Sequence, residues 1–138
     1  MAAIKRDIAD AAFSDCVRER ADRTCESCGK PASVIKLECA HIFGRKNKTL
    51  RQHPDNALCL CFSCHLYFTG NPLEFSDFVR NLLGDDRIEI LREVGRGITK
   101  YNKQFVKDCA KHYREQYKIL CEKRSMGEVG RIEFEAFI

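Results

Sequence analysis

The chain has 138 residues, of which 44% are hydrophobic and 32% charged, and its formal net charge is +4. That is enough apolar material for one compact domain and too little length for two, which excludes a large multidomain enzyme. No apolar run of about eighteen residues occurs, and Lys5, Arg6, Asp7 and Asp10 stand where a signal peptide needs an apolar stretch, so the expectation is a soluble, cytoplasmic protein without a membrane partner.

From the N-terminus, Ile4 to Arg20 sets Ile8, Ala12 and Val17 near one face with Phe13 beside them, the pattern of an amphipathic helix. Cys25, Cys28 and Gly29 then read as a tight knuckle, followed by a short strand from Val34, Ile35 and Leu37 toward Cys39 and His41. Gly44 to Gln52 is a loop, Asp55 to Leu60 an extended return, and Phe62 to Phe68 one or two helical turns that stop near Gly70, Asn71 and Pro72. Leu73 to Leu83 has helical spacing before Gly84, and Asp85 caps a further helix that ends near Gly95 and Gly97. The longest periodic segment, Asn102 to Lys123, carries Phe105, Val106, Cys109, Tyr113, Tyr117, Leu120 and Cys121 on one stripe. The expectation is an α+β fold: one domain over 1–124, with a strand, loop, strand and helix core over 24–70 and a helical extension over 72–124. A separate acidic, apolar tail covers 125–138.

Nine cysteines without an export signal point to metal ligation rather than to disulfides. Cys25-Glu-Ser-Cys28 and Cys61-Phe-Ser-Cys64 are two CxxC pairs that together can present four thiolates to one tetrahedral Zn²⁺. Such a closed site leaves no position for substrate, so its role is structural. Cys16, Cys109 and Cys121 lie on apolar helical faces and read as small core residues.

Charge is unevenly placed. Ile42 to Pro54 holds Arg45, Lys46, Lys48 and Arg51 and no acidic residue, whereas Ser125 to Ile138 holds Glu128, Glu133 and Glu135 against Arg131. A basic body suits a polyanion: Arg45 and Arg51 offer guanidinium forks to phosphate, and Lys46 and Lys48 add affinity independent of sequence. His53 and His112 read first as structural histidines, with His53 kept as a further phosphate contact. No helix presents Asn, Gln and Arg along one face for base reading, so backbone and shape recognition of DNA is expected.

Between the CxxC pairs, His41, Asn56 and His65 occur in the order His, Asn, His, with His65 directly after the last zinc cysteine. This order resembles the HNH (ββα-metal, His-Me finger) endonuclease motif. The resemblance implies a zinc-bound ββα-metal core in which His41 is the general base, Asn56 orients it and His65 binds a catalytic Mg²⁺ or Mn²⁺. Many members place Asp or His before the base, where this chain has Ala40, and Glu38 or Cys39 could assist the ion instead.

The likeness extends further. Arg6-Asp7, Cys25 to Cys28, the Cys39-Ala-His-Ile42 segment, Gly44-Arg45, Leu50-Arg51, Asp55-Asn56, Cys61 to His65 and Gly70-Asn71 recur in order in the phage lambda NinG (Rap) family of recombination endonucleases, and the chain resembles the endonuclease VII group more distantly. That family usually has a small residue at the position of Ala40 and commonly Asn at that of His65. The resemblance implies cutting of branched DNA, such as Holliday junctions or D-loops, during phage recombination in the bacterial cytoplasm. Two symmetric cuts at a junction would need a homodimer, for which the apolar stripe of the long helix is a candidate surface if it is not core. The tail, Gly130 to Ile138, reads either as an extra strand or as a peptide that docks on a replication or recombination protein. Two other readings stay open: a non-catalytic zinc module that binds DNA or protein, and an HNH nickase of ordinary duplex.

Overall fold

A computed structural model describes residues 4–138 of the chain. Asp7 and Asp10 accept from each other's backbone amides at 2.9 Å, closing a capping box that starts the first helix, α1 (Ile8–Arg20), four residues later than periodicity predicts. The remaining elements are β1 (Leu37–His41), a 3-10 turn (Pro54–Asn56), β2 (Ala57–Cys61), α2 (Phe62–Gly70), α3 (Pro72–Leu83), α4 (Asp85–Gly95) and α5 (Lys103–Ser125). The architecture is therefore α+β, with five α-helices and one two-stranded sheet among the described residues. No helix among them is long and apolar enough to cross a membrane.

β1 and β2 are antiparallel, in the register Leu37↔Cys61, Cys39↔Cys59 and His41↔Ala57. β2 is buried along its whole length, since α1 and α2 both pack against the strands. The strand starts at Leu37 rather than Val34, which is exposed in the turn after Pro31. Asp85 is the first residue of α4, not its cap: the N-cap is Gly84, whose φ of 86° an L side chain rarely adopts.

α1 and α5 run side by side in the same direction. Tyr101 donates to Asp7 at the start of the pair, Cys16 to the Tyr113 carbonyl at 3.1 Å midway, and Arg124 to the Glu19 carbonyl at 2.7 Å near the end. Phe13, Tyr113 and Phe134 meet edge to face between them, with ring centroids 5.2 to 5.9 Å apart. The α5 stripe centred on Cys109, Tyr113 and Leu120 is thus buried against the chain's own core and is not a free dimer surface.

The last residues are not a free tail. Ile132 N–H donates to the Arg20 carbonyl at 3.1 Å, Glu135 N–H to Gln116 at 2.9 Å and Phe137 N–H to the Tyr113 hydroxyl at 3.1 Å, while Ile132 and Phe134 are buried. They form an extended strap across α1 and α5. The reason is apolar alternation at Ile132 and Phe134, whose side chains enter the core while Arg131, Glu133 and Glu135 stay exposed. Beneath Phe134 lies Arg20, fully buried, donating to the carbonyls of Pro54 (2.7 Å) and Ala57 (2.6 Å) and so fastening α1 to the turn before β2.

Candidate active site and metal centre

The knuckle brings Cys25 and Cys28 against Cys61, the last residue of β2, and Cys64, in the first turn of α2. The four Sγ atoms lie within 4.8 Å of one another, and those of Cys28 and Cys61 are 3.8 Å apart. A tetrahedron with metal–sulfur bonds of about 2.3 Å has edges of about 3.8 Å, so the four thiols can hold a metal ion such as zinc. Amides are already directed at the sulfurs: Cys28 N–H meets Cys25 Sγ and Cys64 N–H meets Cys61 Sγ, both at 3.5 Å. Burial alone would raise the Cys25 thiol, but backbone donors from Cys28, Cys61 and Ser27 outweigh it and bring it down to about 7, favouring the ligating thiolate. Glu26 locks the knuckle to β2, exchanging its N–H and carboxylate with the Cys59 carbonyl and N–H at 2.8 Å. Gly29, at φ 79°, allows the turn that closes it.

Next to this cluster is an open-sided cavity of about 570 Å³ that both His41, at the end of β1, and His65, on α2, help to line. His41 Nε2 sits 3.0 Å from the Arg51 carbonyl. A carbonyl only accepts, so Nε2 carries the proton and Nδ1 holds the lone pair. Burial pushes the imidazole below its ordinary value, against the pull of the Arg51 carbonyl and with Arg45 adding to the depression. The ring is a neutral base at neutral pH. Phe13 packs beside it, ring centroids 6.3 Å apart.

His65 Nδ1 lies 2.9 Å from a carboxylate oxygen of Glu38, on β1. An ionised carboxylate also only accepts, which places the proton on Nδ1 and leaves the lone pair on Nε2. Glu38 is therefore the partner of His65, a pairing that spacing along the chain does not reveal because the two residues are joined only through β1 packing on α2.

The structure corrects the assignment of Arg51 and gives Asn56 and His53 partners that spacing does not show. Asn56 makes its hydrogen bonds elsewhere than on His41: its Oδ1 accepts from Phe43 N–H at 2.8 Å and its Nδ2 donates to the Leu50 carbonyl at 3.0 Å, from a fully buried position. It cross-braces the loop between the strands, and through that loop holds the Arg51 carbonyl that meets His41. Arg51 does not face solvent: its guanidinium is buried and grips Asp10 through Nε at 3.0 Å and Nη2 at 2.5 Å, with the Tyr101 ring 4.9 Å away. His53 accepts from Asp55 N–H at 3.1 Å as the cap of the 3-10 turn, and burial lowers it further from the charged form. Arg51 is therefore not placed as a phosphate cation, and His53 stands at the turn as a neutral ring.

Arg45 remains on the cavity wall, Lys46 and Lys48 are exposed nearby, and Arg6, Arg18 and Lys36 join Arg45 around the same opening. Against them the lining has two acids, Asp10, neutralised by Arg51, and Glu38, paired with His65. The opening is cationic. Arg18 and Lys36 carry no motif of their own, and the docking of α1 beside β1 brings them here together with Arg6. Cys39 lies in the cavity wall and Cys59 opposite it on β2, both outside the four-cysteine cluster. Comparison of the chain with protein-family models, with curated proteins and with solved structures finds no match.

Proposed function

We propose that this protein is a zinc-stabilised HNH endonuclease that hydrolyses DNA phosphodiester bonds with Mg²⁺ or Mn²⁺, acting on branched recombination intermediates. The observation that carries the reading is the pair of oppositely set histidines in one cationic cavity. His41 has Nε2 committed to a carbonyl and Nδ1 free as a base; His65 has Nδ1 committed to Glu38 and Nε2 free as a ligand. One is prepared to take a proton, the other to hold a cation.

His65 with Glu38 behind it fits a hard divalent ion that keeps most of its own waters. An ion held there would supply charge neutralisation at the phosphate and at the leaving 3′ oxygen. The chain's own groups do the rest. His41 Nδ1 accepts a proton from the attacking water, and its other nitrogen stays fixed by the Arg51 carbonyl so that the lone pair keeps its direction. Arg45, with Arg6 and Lys36 around the opening, holds the phosphate by charge-assisted hydrogen bonds. Those contacts are to the backbone of the nucleic acid, which suits selection by shape rather than by sequence.

The test is cleavage of an end-labelled four-way junction and a linear duplex of matched sequence, with Mg²⁺, with Mn²⁺ and without added divalent ion, for wild type and His41→Ala. Metal-dependent cutting of the junction, lost by a factor of roughly 10² to 10⁴ in His41→Ala with binding and zinc content retained, is the expected result. Binding without cutting of either substrate would replace the reading by a zinc-dependent binding module, and equal cutting of both by a duplex nickase.

A further inference from the structure

α5 carries a second charged surface that the cavity does not use. Lys103, Lys107, Lys111, Arg114 and Lys118 are all exposed, and at 100° per residue they fall within an arc of roughly 80°. Over those residues the helix rises roughly 22 Å at 1.5 Å per residue. Among the described residues no ion pair engages any of the five, although Asp108, Glu115 and Glu122 lie farther round the same helix. The stripe is held rigid because the neighbouring face, Cys109, Ala110, Tyr113 and Leu120, is buried against α1. Five cations on one rigid edge, against three acids along its flank, leave a net positive stripe with no gain to the fold.

The stripe is continuous with the cavity. Lys103 and Lys107 share a shallow apolar depression with Asp7 and Ile8 of the α1 start, and Arg6, the preceding residue, lines the cavity that holds His41 and His65. Asp15, on the exposed side of α1, is already ion-paired to Arg18 at 2.7 Å and leaves little opposing charge there. Along its open flank the stripe meets Gln104, Asp108 and Glu115 rather than the apolar residues that an interfacial membrane helix would insert.

We infer that the α5 stripe is a second DNA-binding surface, which tracks the phosphate backbone of a duplex arm extending from the cavity. This rests on the nuclease reading for its partner, but it is measured by binding and not by cleavage. Its chemistry is ionic and independent of sequence, so its signature is the release of counterions.

The experiment compares wild type with K107Q/K111Q/K118Q, Gln being chosen to keep helix propensity. Affinity for a labelled four-way junction and for a linear duplex is measured across a salt series without divalent ion, with zinc content and helicity checked in each protein. The stripe variant is expected to bind at least tenfold more weakly near 0.1 M salt and to lower the slope of log affinity against log salt by about 2.7, roughly 0.9 for each of three lost phosphate contacts. An unchanged slope, or no DNA binding by wild type, overturns the inference. Binding of wild type to phosphatidylserine vesicles in preference to DNA overturns it in favour of a membrane surface. If wild type binds with the expected slope loss in the variant but cuts nothing, the stripe stands and the nuclease reading fails. If wild type cuts and the slope does not move, the reverse holds.

Discussion

Arg51 clamps Asp10 through two guanidinium nitrogens, at 3.0 and 2.5 Å, while its own backbone carbonyl lies 3.0 Å from His41. One residue thus joins α1 to the loop between the strands and fixes which nitrogen of the imidazole carries the proton. Burial by itself would raise the Asp10 carboxyl, but Arg51, the Asp7 amide and Gln52 outweigh it and hold the group below its ordinary value. Both partners are buried, so removing one leaves the other charged and uncompensated.

Arg51→Gln is therefore expected to destabilise the fold by about 3 kcal/mol, measured by chemical denaturation. The salt dependence of DNA binding should stay as in wild type. A fall in that slope with unchanged stability would return Arg51 to the phosphate-binding set.

The strap makes a second prediction. Phe134 is buried against Phe13, Tyr113 and the Arg20 guanidinium, and truncating a buried aromatic side chain costs about 3 kcal/mol. Phe134→Ala should lower the denaturation midpoint accordingly. A variant as stable as wild type would mean that the strap contributes no core and is free to serve a partner.

Loss of one thiolate opens the four-cysteine cluster. Cys61→Ser is expected to release metal and most of the helical signal together, since binding free energy on the order of 10 kcal/mol is folding free energy in such sites. Circular dichroism alongside metal analysis checks this. A folded, metal-free Cys61→Ser protein would show that the cluster is dispensable to the fold.

The depressed value of His41 sets a pH profile. The ring stays neutral through neutral pH, with Phe13, Asp10, Arg45 and Arg51 around it, so cleavage should be flat above the ordinary value of 6.5 and decline only in acid. Stability carries the same sign. His41 and His53 are both held below their ordinary values, so the unfolded chain takes up protons first; their contribution is complete above pH 6.5 and is lost as pH falls through the lowered values. Cleavage that climbed steadily through pH 8 would place the base elsewhere.

Glu38→Gln tests the carboxylate behind His65. An amide can present either its oxygen or its nitrogen to Nδ1, so the imidazole loses both a charged partner and its enforced tautomer. The Mg²⁺ concentration for half-maximal cleavage should rise roughly 10- to 100-fold while the metal content of the cysteine cluster is unchanged. An unaltered Mg²⁺ dependence would leave Glu38 as a surface ion pair only.

Several elements are legible in the chain because the signals behind them are local. Two CxxC pairs hold their sulfurs within reach of one ion through turns of four residues, and the 3.6-residue period of α1 and α5 follows from helix geometry whatever packs on them. The places of His41 beside the loop and of His65 after Cys64 follow likewise from position on a strand end and a first helical turn. Partner choice is different in kind. Arg51 and Asp10 are 41 positions apart, Asn56 and Phe43 are 13 apart, and nothing local distinguishes Arg51 from Arg45, six residues before it, as the one that turns inward. Burial of Leu50 beside it carries Arg51 into the core, where an isolated guanidinium is too costly and Asp10 is at hand. Packing likewise made the acidic, apolar terminus a strap, because the groove that receives Ile132 and Phe134 exists only once α1 and α5 lie together. Composition and spacing thus decide which groups the chain possesses and which local turns hold them. Which charges face water and which are used up inside follows from the free energy of burial, and that is settled only when distant segments meet.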